Sequence, residues 1–596
     1  MHKTNAFSAR FFTMIAAGLV VSALLGCSNV ASASSSSSSD GNSSAQTTST
    51  TSATKTQTAT YSSSSNPNVI KLDYTTKTLT ISGVPTGAEI YLAKTNPTST
   101  KVASTYSRYI TSASGISLNK ATSTSSPSTP SSSSSSGGTS HPNWQCYLPP
   151  ELSLSEGSAR AATATTATQI DGIVGDTMSI YIDTESTLST AYYTAKDATL
   201  RAVGTYCYVW VIDDYYSTTA SGAKVDTTVA ENVATQFDAV YPMVRNVFGE
   251  ESDVLLYYGS STTYPMSSYS TTGTKVNIVL YDIAADYSSE STSSTGIAGY
   301  FYSKDYYYSG SNISNKGKYF YVDSAYANED INDIYSTLAH EFQHMIHFGV
   351  KYIEQGISSG TGYNEMLSML CEDMMEAYFE GALDGFDEEA SPMNRLPWFN
   401  ALYYYSGLEY REDSTAYALC SYATNYAFGA WLLRNYGGIP LLAKMSANAY
   451  KDTASIVAAV NSINSTSLTM TDLLLAFAQA CLFEEADSGF NISVDALTSS
   501  SSSYYSSDST TYGYPLEAID LWDLETLLPS TAATYTNSSY YKYDGPDLLH
   551  SNEYIEVRPY GILLHDLGTT TASTVTLTLS TSSSSSLKTY VYIYSD

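Results

Sequence analysis

The chain has 596 residues and a formal net charge of -30 at pH 7, with 27 Lys and Arg against 57 Asp and Glu. That length leaves room for several domains of ~100–200 residues, so core size sets no limit on function. The acidic balance repels nucleic acid and anionic lipid headgroups, and no nucleic-acid role is expected.

The opening residues, MHKTNAFSARFFTMIAAGLVVSALLGCSNV, set Lys3 and Arg10 ahead of an apolar run from Phe11 to Leu25. The run is too short to span a bilayer comfortably and predicts an export signal. Its end, Leu24-Leu25-Gly26-Cys27, resembles the bacterial lipobox, which implies that residues 1–27 are a lipoprotein signal and that Cys27 carries the lipid. Ser28, in place of Asp, implies sorting to the outer membrane or cell surface of a diderm bacterium. Residues 28–65 are mostly Ser, Thr, Ala and Gly and read as a disordered tether with too little apolar surface to fold. Residues 66–120 alternate apolar and polar positions in short runs broken by Gly-Val-Pro and Pro-Thr-Gly, the pattern of a small β module, and 121–140 read as a Ser/Pro-rich linker.

The main region, 141–514, starts with strand-like segments such as YCYVWVID, VNIVLYDI and KYFYVDS, interrupted by one helix ending at Gly249. After Asp330 the apolar spacing turns helical, with candidates at Asn332–Phe348, Asn364–Glu380, Ala423–Tyr436, Pro440–Tyr450, Ala454–Ile463 and Met470–Glu484. Residues 515–596 return to strands as a C-terminal β module. The fold class is α+β, a β-rich part followed by a helical part and flanked by small β modules. The 54 tyrosines suit strands and half-buried faces better than a dedicated binding surface. Beyond Cys27 the five cysteines are scattered and odd in number, so no disulfide framework is legible, and Cys371, Cys420 and Cys481 read as buried thiols.

The chemistry gathers in STLAHEFQHMIHFGV, residues 336–350. On a helix, positions i and i+4 share a face, so His340 and His344 can both reach one zinc ion at ~2.0–2.1 Å. Glu341 lies about 100° round the helix from His340, placed to act as general base on the water at such an ion. His347 is a rise of ~10.5 Å from His340 and reads as packing rather than as a third ligand. The third ligand is expected 21 residues after His344, at Glu365 in GYNEMLSMLCEDMMEAYFEG, carried on a second helix. Two histidines and a carboxylate leave one zinc position open, as catalytic sites require. Gly349 is expected to end the motif helix.

HExxH followed by Asn-Glu-x-x-Ser is similar to the gluzincin metallopeptidases, the group that contains thermolysin. More closely, LAHEFQHMIHF with NEMLSMLCEDM, preceded by DATLRAVGTYCYVWVIDD, resembles the hyicolysin family of secreted bacterial metallopeptidases over Ser179 to Gly438. The resemblance implies a thermolysin-like zincin domain in which His340, His344 and Glu365 hold one zinc ion and Glu341 is the catalytic base. Thermolysin has an aspartate four residues after its glutamate ligand that holds the first histidine; here Met369 stands there, and Glu372 or Asp373 is the candidate replacement. A gluzincin also needs a donor for the developing oxyanion. Tyr426 is the first choice for that catalytic role, with Tyr422 as its rival.

The resulting expectation is a lipid-anchored zinc endopeptidase acting on protein or peptide substrates. Calcium is conceivable from the acidic composition, but no EF-hand-like loop is present in the sequence. Two other classes stay open at this point: a surface adhesin whose metal motif is vestigial or structural, and a zinc amidase using the same ligands on non-protein substrates.

Overall fold

The computed structural model describes residues 55–121, 145–146, 165–184, 193–257, 262–287, 297–308, 314–329, 331–382, 391–409, 415–484, 489–492, 494–499, 512–527, 542–581 and 583–595. By its contacts the chain divides into residues 1–53, which lie outside that set, and one compact unit from Thr54 to Asp596. The signal, the lipobox Cys27 and the linker at 122–140 therefore fall outside the described residues.

The unit opens with strands β1 (Lys55–Thr60), β2 (Asn68–Leu72), β3 (Thr76–Ser82), β4 (Glu89–Thr95), β5 (Ile110–Ser114) and β6 (Ile116–Leu118). The two-residue β7 (Gln145–Cys146), then β8 (Thr177–Asp183), β9 (Tyr193–Val203) and β10 (Cys207–Ile212) lead into helix α1 (Thr227–Phe248). After it come β11 (Val254–Leu256), β12 (Thr263–Pro265), the single turn α2 (Met266–Tyr269), β13 (Val276–Tyr281), β14 (Ile297–Phe301) and β15 (Lys318–Asp323). The helical part comprises α3 (Ser324–Glu329), α4 (Ile331–His347), α5 (Thr361–Ala382), α6 (Leu396–Leu402), α7 (Thr415–Tyr436), α8 (Gly438–Ala447), α9 (Asp452–Asn464) and α10 (Met470–Ala480). Strands β16 (Val494–Ser499) and β17 (Tyr512–Leu516), the turn α11 (Leu524–Leu527), and β18 (Leu549–His550), β19 (Ile562–Thr570), β20 (Thr574–Leu579) and β21 (Lys588–Tyr594) complete the described elements.

The central sheet has the order β7-β14-β15-β13-β10-β9-β8. Its middle strands, VNIVLY in β13 and KYFYVD in β15, are buried along their whole length and pair in parallel, as strands covered on both faces must be. α1 and α4 pack against one face through Val233, Phe237, Val240, Leu338, Phe342 and Met345. α1 starts where the Asp226 side chain accepts the Val229 amide and stops, as expected, at Gly249 with φ 99°. The opposite face carries a tyrosine cluster in which the rings of Tyr300 and Tyr321 stack at 4.5 Å and the hydroxyls of Tyr281 and Tyr300 meet at 2.8 Å. These tyrosines are fully buried rather than half-buried, because their hydroxyls bond to one another and to Asp305 and so bring no unpaired polar group into the core.

Three boundaries read from the sequence need correction. The tether does not run to residue 65: KTQTAT forms β1 and pairs in parallel with β3, since threonine is β-branched and needs only a partner strand to leave the disordered class. The terminal β modules are not separate. β20 lies between β3 and β5, and β4 lies between β19 and β21, so both ends of the chain build one two-sheet sandwich over a core that includes Leu79, Ile90, Leu92, Leu577 and Val591. Gly349 does not end the motif helix, which continues as a π-helical stretch from Phe348 to Glu354. A Cβ at Gly349 would lie 2.9 Å from the Ser252 amide nitrogen, so this glycine serves close backbone approach rather than a stop.

The shared sandwich has a direct consequence. A protease site inserted at residues 131–136 and cut to completion is expected to leave the N-terminal fragment bound to the rest, because β2, β3 and β4 hydrogen-bond to strands beyond residue 561. Size-exclusion chromatography of the nicked chain checks this; separation of the fragments without denaturant would contradict it.

Candidate metal centre

α4 is amphipathic in a way that decides the site. Phe342 packs its ring against Phe237 (5.1 Å between centroids) and Tyr241 (5.0 Å) of α1. Burial of such a side chain contributes roughly 1.5–3 kcal/mol, which fixes the rotation of the helix about its axis. With that face spoken for, His340 and His344 turn toward α5, where Glu365 meets them. The reacting atoms of the three side chains lie within 4.8 Å of one another, and all three residues are buried. Among the described residues this is the one such group of His, Cys, Asp or Glu side chains.

The spacing tests the fit to a metal. Two ligands held at ~2.0–2.1 Å in a tetrahedral shell are about 3.4 Å apart. Glu365 Oε2 lies 3.3 Å from His340 Nε2, and Glu365 Oε1 lies 3.6 Å from His344 Nε2. Neither Glu365 oxygen has a hydrogen-bond partner although both are buried. A buried carboxylate facing two imidazole nitrogens at that separation is the donor set zinc takes.

Both histidines are held from behind. His340 Nδ1 lies 2.5 Å from Glu372 Oε1, and Arg395 grips the same carboxylate at 3.0 and 3.4 Å. Donating Nδ1–H to Glu372 leaves the lone pair of His340 Nε2 toward Glu365. Ser368 Oγ lies 3.0 Å from His344 Nδ1 and 3.4 Å from Nε2, and donates in turn to Gln343 Oε1; the shorter contact assigns the same tautomer to His344. Glu365, Ser368 and Glu372 fall at i, i+3 and i+7 of α5, one stripe facing α4.

Burial, and then the neighbouring His340, keeps His344 well below its ordinary range, so it is a neutral, ligand-competent imidazole. Burial pushes the Glu372 carboxyl up, but Arg395 and His340 outweigh it and hold the group below its usual value, as an anion. Glu372 and not Asp373 therefore takes the place behind the first histidine. Asp373, one residue on, turns away and forms a two-point ion pair with Arg434 of α7 at 2.8 and 3.0 Å.

Glu341 is fully buried beside β14. A Cβ at Gly299 would come within 2.7 Å of Thr337 Cγ2 and 3.4 Å of Glu341 Cγ, so only glycine lets the strand lie this close to the base candidate. β7 pairs in parallel with β14 along its outer edge, with Cys146 opposite Gly299 in register. His347 is buried with its ring 6.0 Å from that of Tyr363, and burial, then Lys351, pushes it down to about 3. It stands outside the His340, His344 and Glu365 group.

Tyr426 is not brought to the ligands. Its side chain is fully buried on α7, its hydroxyl has no hydrogen-bond partner, and its charged surroundings are Asp373, Arg434, Glu376 and Arg395. Tyr422, one turn earlier, is buried as well. Sequence reasoning gave no role to Ser368 or Arg395. Ser368 lay in view within the Asn-Glu-x-x-Ser motif; Arg395 sits 23 residues beyond Glu372 on a short 3-10 turn, Pro392–Arg395, with no spacing signal to find it.

No family model matches the chain. A curated relative, the neutral metalloprotease ShpI of Staphylococcus hyicus, is 29% identical over 244 residues, which are 39% of this chain and 47% of the relative. The similarity thus spans about half the length of that relative.

Proposed function

We propose that the chain is a zinc-dependent endopeptidase of the gluzincin type, with a thermolysin-like arrangement around α4 and α5. The observation that carries the reading is the convergence of His340, His344 and Glu365 in one buried group, with Glu341 one position on in the same helix. The similarity to a neutral metalloprotease supports the metal and the peptide-bond chemistry.

His340, His344 and Glu365 would hold the ion through two Nε2 atoms and the carboxylate. A zinc ion supplies Lewis acidity toward the peptide carbonyl and the attacking water. Glu341, buried beside that site, would take a proton from the attacking water and pass it to the leaving amine. Glu372 and Ser368 hold the two rings in the orientation the ion needs. We do not assign the oxyanion donor to Tyr426, whose hydroxyl is enclosed beside the Asp373–Arg434 pair.

The protein is proposed to be exported and held by lipid on Cys27 at the outer membrane or cell surface, where it cuts proteins or peptides. No helix among the described residues is long and apolar enough to cross a membrane.

The reading is tested by hydrolysis of unfolded casein with and without a chelator. Activity removed by the chelator and restored by zinc is expected; chelator-resistant hydrolysis would overturn it. Glu372→Ala is expected to weaken zinc affinity by ~10–100-fold, as loss of an outer-shell partner does. Competition with a chromogenic chelator measures this, and unchanged affinity would remove Glu372 from its place behind His340.

A further inference from the structure

The interior of the terminal sandwich is apolar except at one end. Ile90 and Leu92 of β4 point into it, and the next inward position on that strand is Lys94. The register sets Thr589 of β21 opposite Lys94 and His565 of β19 opposite Leu92, so Lys94, Thr589 and His565 share the inward face. Arg108, just before β5, closes this end by donating to the carbonyl oxygens of Thr76 and, at 3.1 Å, Asp73. Lys94 and His565 are fully buried, and Arg108 and Thr589 are each 1% exposed.

These groups do not satisfy one another. The Lys94 ammonium carries three protons and has one partner, Ser107 Oγ at 3.3 Å. Arg108 Nε and Thr589 Oγ1 have none. No carboxylate pairs with Lys94 or Arg108 among the described residues. The neighbouring acids are committed elsewhere: Glu89, on the same strand as Lys94, accepts from the Tyr91 hydroxyl at the surface, Asp73 pairs with Lys55 at the surface, and Asp566 takes the Asn119 amide and the Gly568 N–H. His565 donates Nδ1–H to the His550 carbonyl at 2.9 Å, which leaves Nε2 a buried, neutral lone pair without a partner, and it brings no negative charge. Burial, and then the charge of Arg108, push Lys94 down to about 7. Buried charges in proteins are paired, and the open atoms of Lys94 and Arg108 are donors only, so what is missing is an acceptor carrying negative charge.

We propose that this end of the sandwich is an anion site, in which a small inorganic anion of about the size of chloride sits between Lys94 and Arg108 and accepts from Lys94 Nζ, Arg108 Nε and Thr589 Oγ1. Such an ion joins β4, from the N-terminal part of the chain, to β21 at its end. It is a structural ligand, remote in the chain from the α4–α5 site and independent of the peptidase reading.

Thermal unfolding of the full chain, titrated with sodium chloride against sodium gluconate at constant ionic strength, tests the site. A saturating rise of roughly 3 °C is expected for the wild type, and a flat response for Lys94→Met, which keeps the length and removes the charge. An equal response in both proteins, or none in the wild type, would overturn the proposal. Should Lys94→Met not fold, wild-type crystals soaked in bromide decide: an anomalous peak between Lys94 and Arg108 supports the site, and its absence refutes it. A phosphate titration run in parallel shows whether an oxyanion enters as well, with a larger midpoint shift than chloride if it is the preferred occupant.

Discussion

Glu341→Gln is expected to lower kcat/KM on casein by ~10²–10⁴-fold while zinc stays bound, because the amide keeps the shape of the carboxylate but cannot accept the proton. The separation of the two readouts follows from the geometry. Glu341 is adjacent to His340 in sequence, yet the group that could hold a metal consists of His340, His344 and Glu365, and Glu341 lies instead against Gly299 of β14. Loss of zinc along with activity would make Glu341 part of the metal-holding structure. Full retention of activity would remove it from the chemistry.

Asp373→Ala is expected to cost about 3–5 kcal/mol of stability with little effect on zinc affinity in the protein that remains folded. The Arg434 guanidinium is buried on α7 between Asp373 and the Glu517 carbonyl, with 0% of its side chain and 1% of that of Asp373 exposed. Removing the carboxylate alone strands a buried cation, whereas the double change Asp373→Leu with Arg434→Met removes both charges and is expected to recover most of the loss. The urea midpoint measures both. A loss under about 1 kcal/mol for the single variant would mean that solvent reaches the pair. Set beside Glu372→Ala, this variant separates two neighbouring acids: one holds the His340 ring, the other holds two helices together.

The clustering of His340, His344 and Glu365 was legible because much of its information is local. His340 and His344 are one turn apart, and a helical period puts them on the side of the helix opposite Leu338, Met345 and Ile346. Glu365 needed a second helix and was legible through the Asn-Glu-x-x-Ser motif. Helices α4, α5, α8, α9 and α10 start within about three residues of where the apolar spacing put them, and α7 starts earlier, at Thr415. What was not legible is long-range. Alternation in residues 68–95 and 562–594 announces strands but says nothing about which strands pair, so one sandwich read as two modules. α6, with the sequence LPWFNAL, is too short for a periodic signal and leads into Tyr403, Tyr404 and Tyr405, which favour strands on propensity and are fixed as a 3-10 turn by burial. Tyr426 shows the same limit from the other side: a tyrosine downstream of the ligands has the right chemistry for an oxyanion donor, but only the packing of α7 on α5 reveals that its hydroxyl is enclosed.

The measurement that tests the account most directly is the zinc content of the purified chain by elemental analysis, run beside His344→Ala with casein hydrolysis assayed on both. The account predicts about one zinc per chain, lost from the variant together with the activity. A folded wild type that takes up no zinc and cleaves nothing, or a variant that retains both, would contradict it.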